Sequence, residues 1–138
     1  MEIEKLKKSD FADVLRGKPT IRFTAKGIVV LNKRAVAELK LFSGNTWGCV
    51  SICRDTKDHS EFSITRDKDG WQLREAYGGG AVFNCAGLSR HVIDKTWERC
   101  QSHPVGVEKP VSCSFRIAHI PVDDDKNKDV YALIRKKV

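Results

Sequence analysis

The feature that most constrains the fold is a pattern of strand, glycine turn, strand, asparagine and helix that occurs twice, 52 residues apart. Residues 27–32 (GIVVLN) align with residues 79–84 (GGAVFN), and the apolar position Val36 aligns with Leu88. Two further β-rich segments follow each helix. A ββαββ unit this short can hardly bury its apolar face alone, so two units should pack around one core. The sequence therefore predicts an internal duplication.

Alternating and helical apolar patterns give the expected elements. Strands are predicted over residues 20–24, 28–31, 46–54, 61–66, 71–76, 81–83, 111–122 and 130–134, and helices over residues 9–16, 33–41 and 86–99. Asn32 and Asn84 stand where the N-cap of each main helix belongs. The glycine run at residues 78–80 is expected to form a flexible hairpin tip.

The expected fold class is mixed α+β, mainly β. A small barrel-like sheet should be built from two ββαββ-like halves, residues 18–67 and 70–135, related by a pseudo-two-fold axis and preceded by a short N-terminal helix. A chain of 138 residues with 41% hydrophobic and 31% charged residues can bury a core and is unlike a disordered chain. We expect a single domain over residues 1–138.

Net charge is the next constraint, and it bears on function. Lys and Arg number 25 against 18 Asp and Glu, which gives a formal net charge of +7. A basic surface favours polyanions, nucleic acid before anionic membranes. No window approaches the ~18 uninterrupted apolar residues of a membrane helix, and the N-terminal residues contain no apolar signal-peptide region. We therefore expect a cytoplasmic protein with no membrane partner.

The cysteines and histidines form no recognisable site. The five cysteines have no C-x-x-C spacing, and the four histidines do not flank them at zinc-ligand spacing. The favoured interpretation is reduced, mostly buried thiols, and the alternative is a catalytic Cys100 beside His103. Nucleotide-binding, zinc-protease and serine-hydrolase motifs are absent from the sequence. We expect no enzyme: no catalytic residues, no metal and no cofactor.

The first half resembles the AbrB-like looped-hinge transcription factors and the related antitoxin N-terminal domains. The stretch VVLNKRAVAELKLFSGN is similar to the helix entry, leucine–glycine segment and following turn of that family. The resemblance covers residues 20–54, with a possible second copy over residues 71–134. The chain departs from the pattern at Asn32, where the family has proline, and at Asn45, where it has aspartate.

The resemblance implies a fold and a function. Two units of that family, usually from two chains, interlace into a small β-barrel that presents basic residues to DNA. Two units in one chain would make an intramolecular pseudo-dimer, so that the protein could act as a monomer, while a homodimer is the alternative. The expected function is that of a small regulatory protein that binds nucleic acid, in the first place double-stranded DNA. Fold alone does not establish such a function.

Six cations are the candidate nucleic-acid-binding residues. They are Arg22, Lys26, Lys33 and Arg34 in the first half, and Arg74 and Arg90 in the matching part of the second. We expect the turn at Lys26 to lie near the helix entry at Asn32, where free N–H groups could bind a phosphate. Cations in the first helical turn oppose the helix dipole, which hints at a use other than stability. A solvated basic face is the alternative interpretation.

The alternative function is a non-catalytic protein-interaction or assembly module, for example of a phage or mobile element. Its candidate anchors are Trp47, Trp71, Tyr77 and Trp97, if these aromatic residues are exposed. Packing in the core or in hairpins is the other interpretation of the same residues. A protein partner is therefore an open possibility beside DNA.

Overall fold

The computed structural model describes residues 17–76, 78–99, 111–119 and 130–135, which form eleven strands and two helices. The first six strands are β1 (Thr20–Thr24), β2 (Ile28–Leu31), β3 (Phe42–Ser43), β4 (Thr46–Trp47), β5 (Cys49–Arg54) and β6 (Phe62–Arg66). The others are β7 (Trp71–Gln72), β8 (Arg74–Glu75), β9 (Ala81–Asn84), β10 (Ser112–His119) and β11 (Val130–Arg135). The helices are α1 (Lys33–Glu38) and α2 (Ala86–Arg99). The helix predicted over residues 9–16 lies outside the described residues.

Nine of the described strands form one antiparallel sheet in the order β7-β5-β6-β11-β10-β1-β2-β9-β8. Its two edge strands are consecutive in the chain. Trp71 pairs with Val50 of β5, Arg74 pairs with Val82 of β9, and only Leu73 separates β7 from β8. One bent segment therefore joins the two edges and nearly closes the sheet into a barrel. The prediction of a mainly β fold with a barrel-like sheet is confirmed.

β1 and β2 form the hairpin that the sequence predicts. Ile21 and Phe23 are fully buried while Arg22 between them is exposed, as the period of two in a strand requires. The turn needs glycine at position 27 for two reasons. Gly27 has φ 90°, and a Cβ there would lie 2.7 Å from the Cα of Ala86 at the start of α2.

α1 begins where the sequence predicts and ends earlier. Asn32 is its N-cap, because the Asn32 Oδ1 accepts a hydrogen bond from the Ala35 N–H at 2.8 Å. The helix was expected to reach residue 41 but ends at Glu38. Lys40 adopts the left-handed φ of 53°, and the Leu41 N–H donates to the Val36 carbonyl at 3.0 Å. This is a Schellman ending with lysine in the position that glycine usually takes.

The strand predicted over residues 46–54 is divided at Gly48, so that prediction is wrong in detail. β3 and β4 form a separate hairpin whose turn residues Gly44 and Asn45 are both left-handed, with φ 57° and 65°. The Gly48 N–H donates to the Leu41 carbonyl at 2.8 Å, and the Gly48 carbonyl accepts from the Leu73 N–H at 3.1 Å. These two bonds hold the hairpin between the end of α1 and the bent segment that contains β7 and β8.

α2 spans the predicted residues, but Asn84 is not its N-cap. Asn84 is the last residue of β9, the helix begins at Ala86, and the Ser89 N–H donates to the Cys85 carbonyl. The Asn84 side chain instead accepts a hydrogen bond from Arg74. α1 and α2 follow the adjacent antiparallel strands β2 and β9, so they start at opposite ends of the sheet.

The core fills the inside of the barrel-like sheet. Among its largest fully buried side chains are Phe23, Phe83, Ile21, Leu31, Leu39, Leu41, Ile64 and Leu73. The rings of Phe23 and Phe115 meet edge to face with centroids 5.8 Å apart. α2 adds Val92 and Ile93, which are buried where the helix packs against β1, β10 and β2. The outer face of the sheet carries polar and charged side chains together with Val30, Val82 and Ile134.

Candidate nucleic-acid interface

Two arginines lie on the outer face of the sheet in one cross-strand row. Arg22 of β1 is paired with Val30 of β2, Val30 with Val82 of β9, and Val82 with Arg74 of β8. Both arginines are exposed and both valines are half-buried. Neighbouring strands are about 4.8 Å apart, so three steps place the two arginines roughly 14 Å apart along the sheet. We call this row and the outer face of β10 beside it the arginine face.

Hydroxyl groups surround Arg22 on the arginine face. On β10, Ser112, Ser114 and Arg116 are paired with Thr24, Arg22 and Thr20 of β1. The sequence analysis did not select Arg116, although its place two residues after Ser114 in an alternating strand puts it on the outer face. Arginine and hydroxyl donors together suit phosphate oxygens.

Acidic residues are absent from residues 17–37 and 111–119, which supply β1, β2 and β10 of this face, whereas β8 places the exposed Glu75 directly after Arg74. Residues 17–37 carry five cations: Lys18, Arg22, Lys26, Lys33 and Arg34. The positive potential around Arg22 is therefore not neutralised by its own segments, whereas Glu75 offsets part of the charge of Arg74.

The opposite wall carries the acidic residues. If the bent segment of β7 and β8 is counted as one strand, β6 is four strands from β2 in either direction around the sheet. Residues 55–69 around β6 contain five acidic and three basic side chains. Hydrogen bonds from the Ser60 hydroxyl and N–H lower the pKa of Asp58, and a hydrogen bond from the Ser51 hydroxyl lowers the pKa of Asp67. These carboxylates stay ionised. Glu61 forms a salt bridge with Arg99, so this wall carries a small net negative charge while the arginine face is basic.

The six predicted cations do not form one cluster. Lys26 lies in the turn before β2, whereas Lys33 and Arg34 follow the end of β2, so an extended strand of four residues separates them. The expectation that the turn lies near the helix entry is wrong for this reason. Ala86 at the start of α2 contacts Gly27, and Arg90 lies one helical turn after Ala86. Arg90 therefore lies at the same end of the sheet as Lys26.

The start of α1 is already occupied by protein groups. The Asn32 Oδ1 accepts from the N–H groups of both Ala35 and Thr20, at 2.8 and 3.1 Å. The cap therefore uses one of the donors that we expected to be open to a phosphate. Lys33 lies against the glycine tip, since a Cβ at Gly79 would lie 3.3 Å from the Lys33 Cδ. Lys33 and Arg34 are both exposed.

The aromatic residues are mostly packing residues. Trp71 stacks on Phe83 with ring centroids 5.4 Å apart, and Trp47 is partly buried against the core. Trp97 is half-buried, and Tyr77 lies outside the described residues. Phe42, which the sequence analysis did not single out, is 46% exposed beside Trp47. No pattern in the sequence distinguishes it, because its exposure follows from the separate β3–β4 hairpin.

The described residues offer little other chemistry. Cys49, Cys53 and Cys85 are free thiols, and no group of three or more metal-binding side chains occurs in the described part of the chain. The pair Cys100 and His103 lies outside it. A shallow pocket of about 320 Å³ lies between α2 and the β5–β6 hairpin. Its lining consists of Ile52, Cys53, Arg54, Phe62, Leu88 and His91.

Comparison with protein-family models, with curated proteins and with solved structures finds no match to this chain. The AbrB-like resemblance is therefore a hypothesis that rests on the residues alone. Within the described residues, no helix is both long enough and apolar enough to cross a membrane.

Proposed function

We propose that this protein is a small nucleic-acid-binding regulator of AbrB-like type that binds double-stranded DNA through the arginine face. The observation that carries the proposal is the segregation of charge across the barrel. One wall presents Arg22, Arg74 and Arg116 among hydroxyl groups, with Glu75 beside Arg74 and no acidic residue in segments 17–37 and 111–119. The opposite wall carries more acidic than basic side chains over residues 55–69. A duplex approaching the protein would be attracted more strongly to the first wall than to the second.

Phosphate contacts supply the affinity in this proposal. Each cation that neutralises a phosphate releases condensed counterions, which adds about 0.9 to the magnitude of the salt slope on duplex DNA. Serine and threonine hydroxyls and arginine guanidinium groups are ordinary phosphate partners. Such contacts position the protein on DNA and carry little sequence information, so the proposal does not name a sequence.

We further propose that the fold consists of two ββαββ-like halves related by a pseudo-two-fold axis. Support comes from the strand register. The 52-residue shift that aligns Asn32 with Asn84 also converts the pair Arg22–Val30 into the pair Arg74–Val82. The β2–β9 ladder contains the pair Val30–Val82, whose two members the same shift relates, and such an axis would pass there.

A second set of pairings fits the same axis on the far wall. A shift of 67 residues converts the pair Thr65–Ser51 of the β5–β6 ladder into Ala132–Ala118 of the β10–β11 ladder. The β6–β11 ladder contains the self-related pair Ile64–Tyr131. Against a close repeat stand the different surroundings of the two asparagines, since Asn32 caps α1 and Asn84 accepts from Arg74.

The axis would make the two arginines equivalent. Arg22 and Arg74 would lie on either side of it, with the Val30–Val82 pair between them. Duplex DNA has approximate two-fold axes perpendicular to its length, and two-fold proteins use them when they bind operators. A single chain could then contact phosphates on both strands, as an intramolecular pseudo-dimer would.

The test compares two double charge reversals that change the net charge equally. Arg22→Glu with Arg74→Glu alters the arginine face, and Lys57→Glu with Lys68→Glu alters exposed lysines on the acidic wall. Binding to a random duplex is measured at several salt concentrations around about 0.1 M. The arginine variant should bind more than about tenfold more weakly and lose about 2 from the salt slope, while the lysine variant should stay close to the parent.

A third variant, Lys33→Glu with Arg34→Glu, tests the α1 end. It should weaken binding less than the arginine variant, because these residues lie beyond the end of β2. Equal losses of affinity in all three variants would show that binding is only the general attraction of a basic protein to polyanions. If the parent binds no nucleic acid, the protein-interaction module becomes the better explanation.

A further inference from the structure

The β3–β4 hairpin presents an aromatic pair at the surface. Phe42 and Trp47 are cross-strand partners, and their ring centroids are 4.6 Å apart with an interplanar angle of 44°. Phe42 is 46% exposed and is the one aromatic side chain among the large hydrophobic residues exposed in the described part of the chain. Trp47 lies beneath it, partly buried against the core.

The hairpin is anchored rather than loosely attached. The Gln72 Nε2 donates to the Trp47 carbonyl at 2.8 Å, and the Leu73 N–H donates to the Gly48 carbonyl. At its other side the Gly48 N–H bonds the Leu41 carbonyl directly after α1. Phe42 is therefore held on a fixed support, which limits the entropy lost when its ring meets a flat partner.

One cation lies in the segment that forms the hairpin. Residues 39–48 contain Lys40 and no acidic residue, and Glu38 ends α1 just before them. Gln72 of β7, whose side chain bonds the hairpin, is followed in the chain by Leu73 and then by Arg74 of the arginine face. An exposed ring on a hairpin that is tied to the strand carrying Arg74 fits a nucleobase and its phosphate better than a purely apolar partner.

We propose that Phe42 stacks on an unpaired nucleobase, in a single strand or at a bulge, while the arginine face holds the adjoining backbone. This inference rests on the proposed nucleic-acid function and adds to it a preference for DNA with at least one unpaired base. Base stacking on aromatic side chains tolerates any sequence because every base has a π-face. The preference would therefore be for structure and not for sequence.

The experiment uses the full chain and two duplexes that differ by one bulged nucleotide, 2-aminopurine, whose fluorescence falls when it stacks. Phe42→Leu keeps an apolar side chain without a ring, and Phe42→Tyr keeps the ring. Val111→Ala is the matched control, since Val111 is 77% exposed and apolar. The parent, Phe42→Tyr and Val111→Ala should quench the bulged base. Phe42→Leu should not, and should bind the bulged duplex about tenfold more weakly while binding the paired duplex as the parent does.

The outcomes separate this inference from the function beneath it. If the parent binds both duplexes equally and does not quench, or if Phe42→Leu loses the same affinity for both, base stacking is overturned and duplex binding stands. If the parent binds neither duplex, both proposals are overturned. Quenching that persists in Phe42→Leu also overturns the role of the ring.

Discussion

Asn32 joins the start of α1 to two other parts of the chain, so its removal should cost more than an ordinary N-cap. Its Oδ1 accepts from the Ala35 N–H and the Thr20 N–H, and its Nδ2 donates to the Lys18 carbonyl at 2.8 Å. The cap contributes about 1 kcal/mol. Each of the other two bonds contributes about 1 kcal/mol at most, because the site is partly exposed. Asn32→Ala should therefore lower the free energy of unfolding by about 2–3 kcal/mol.

Asn84→Ala is the matched control, because Asn84 makes a single exposed hydrogen bond with Arg74. Its cost should stay below about 1 kcal/mol. The cost of Asn32→Asp should lie between the costs of the two alanine variants, because aspartate keeps both accepted hydrogen bonds and loses the one donated to the Lys18 carbonyl. Urea unfolding with an unchanged m-value measures all three. Equal costs for Asn32→Ala and Asn84→Ala would refute the argument that Asn32 ties the helix to β1.

Two further predictions concern the turn and the acidic wall. Gly27→Ala should destabilise by more than about 2 kcal/mol, because φ is positive and the new Cβ would lie 2.7 Å from the Ala86 Cα. Gly17→Ala, with a similar φ and no atom of the described residues within 4 Å, should cost about 1 kcal/mol in the same urea assay. A comparable cost at both positions would contradict the close approach of α2. The pKa of Asp67 is lowered from 3.8 in the folded state, so its contribution to stability is present above that pH and is lost as the pH falls through the folded pKa. Ser51→Ala should raise the pKa of Asp67 toward 3.8 in an NMR titration, and an unchanged pKa would show that the Ser51 hydroxyl is not its main cause.

Local features of the sequence were enough to predict the hairpin, the first helix start and the second helix. Alternation in β1, the glycine at position 27 and the acceptor at Asn32 act within a few residues, so their effects can be recognised without knowing the fold. The end of α1 could not be predicted in this way. Lys40 takes a left-handed conformation that its own side chain does not favour, and the burial of Leu39 and Leu41 offsets that preference.

The candidate site depended on tertiary structure to a greater extent. Charge composition indicated a polyanion partner, but the row from Arg22 to Arg74 exists only because β2 pairs with β9 in one register. Register is set by which residues the core buries, so it cannot be deduced from either strand alone. The division of the chain at Gly48 likewise leaves Phe42 exposed on its own hairpin. The sequence by itself determined the net charge and the elements whose signals are local, such as the β1–β2 hairpin and the two helix positions, whereas pairing between distant segments decided which side chains share a surface.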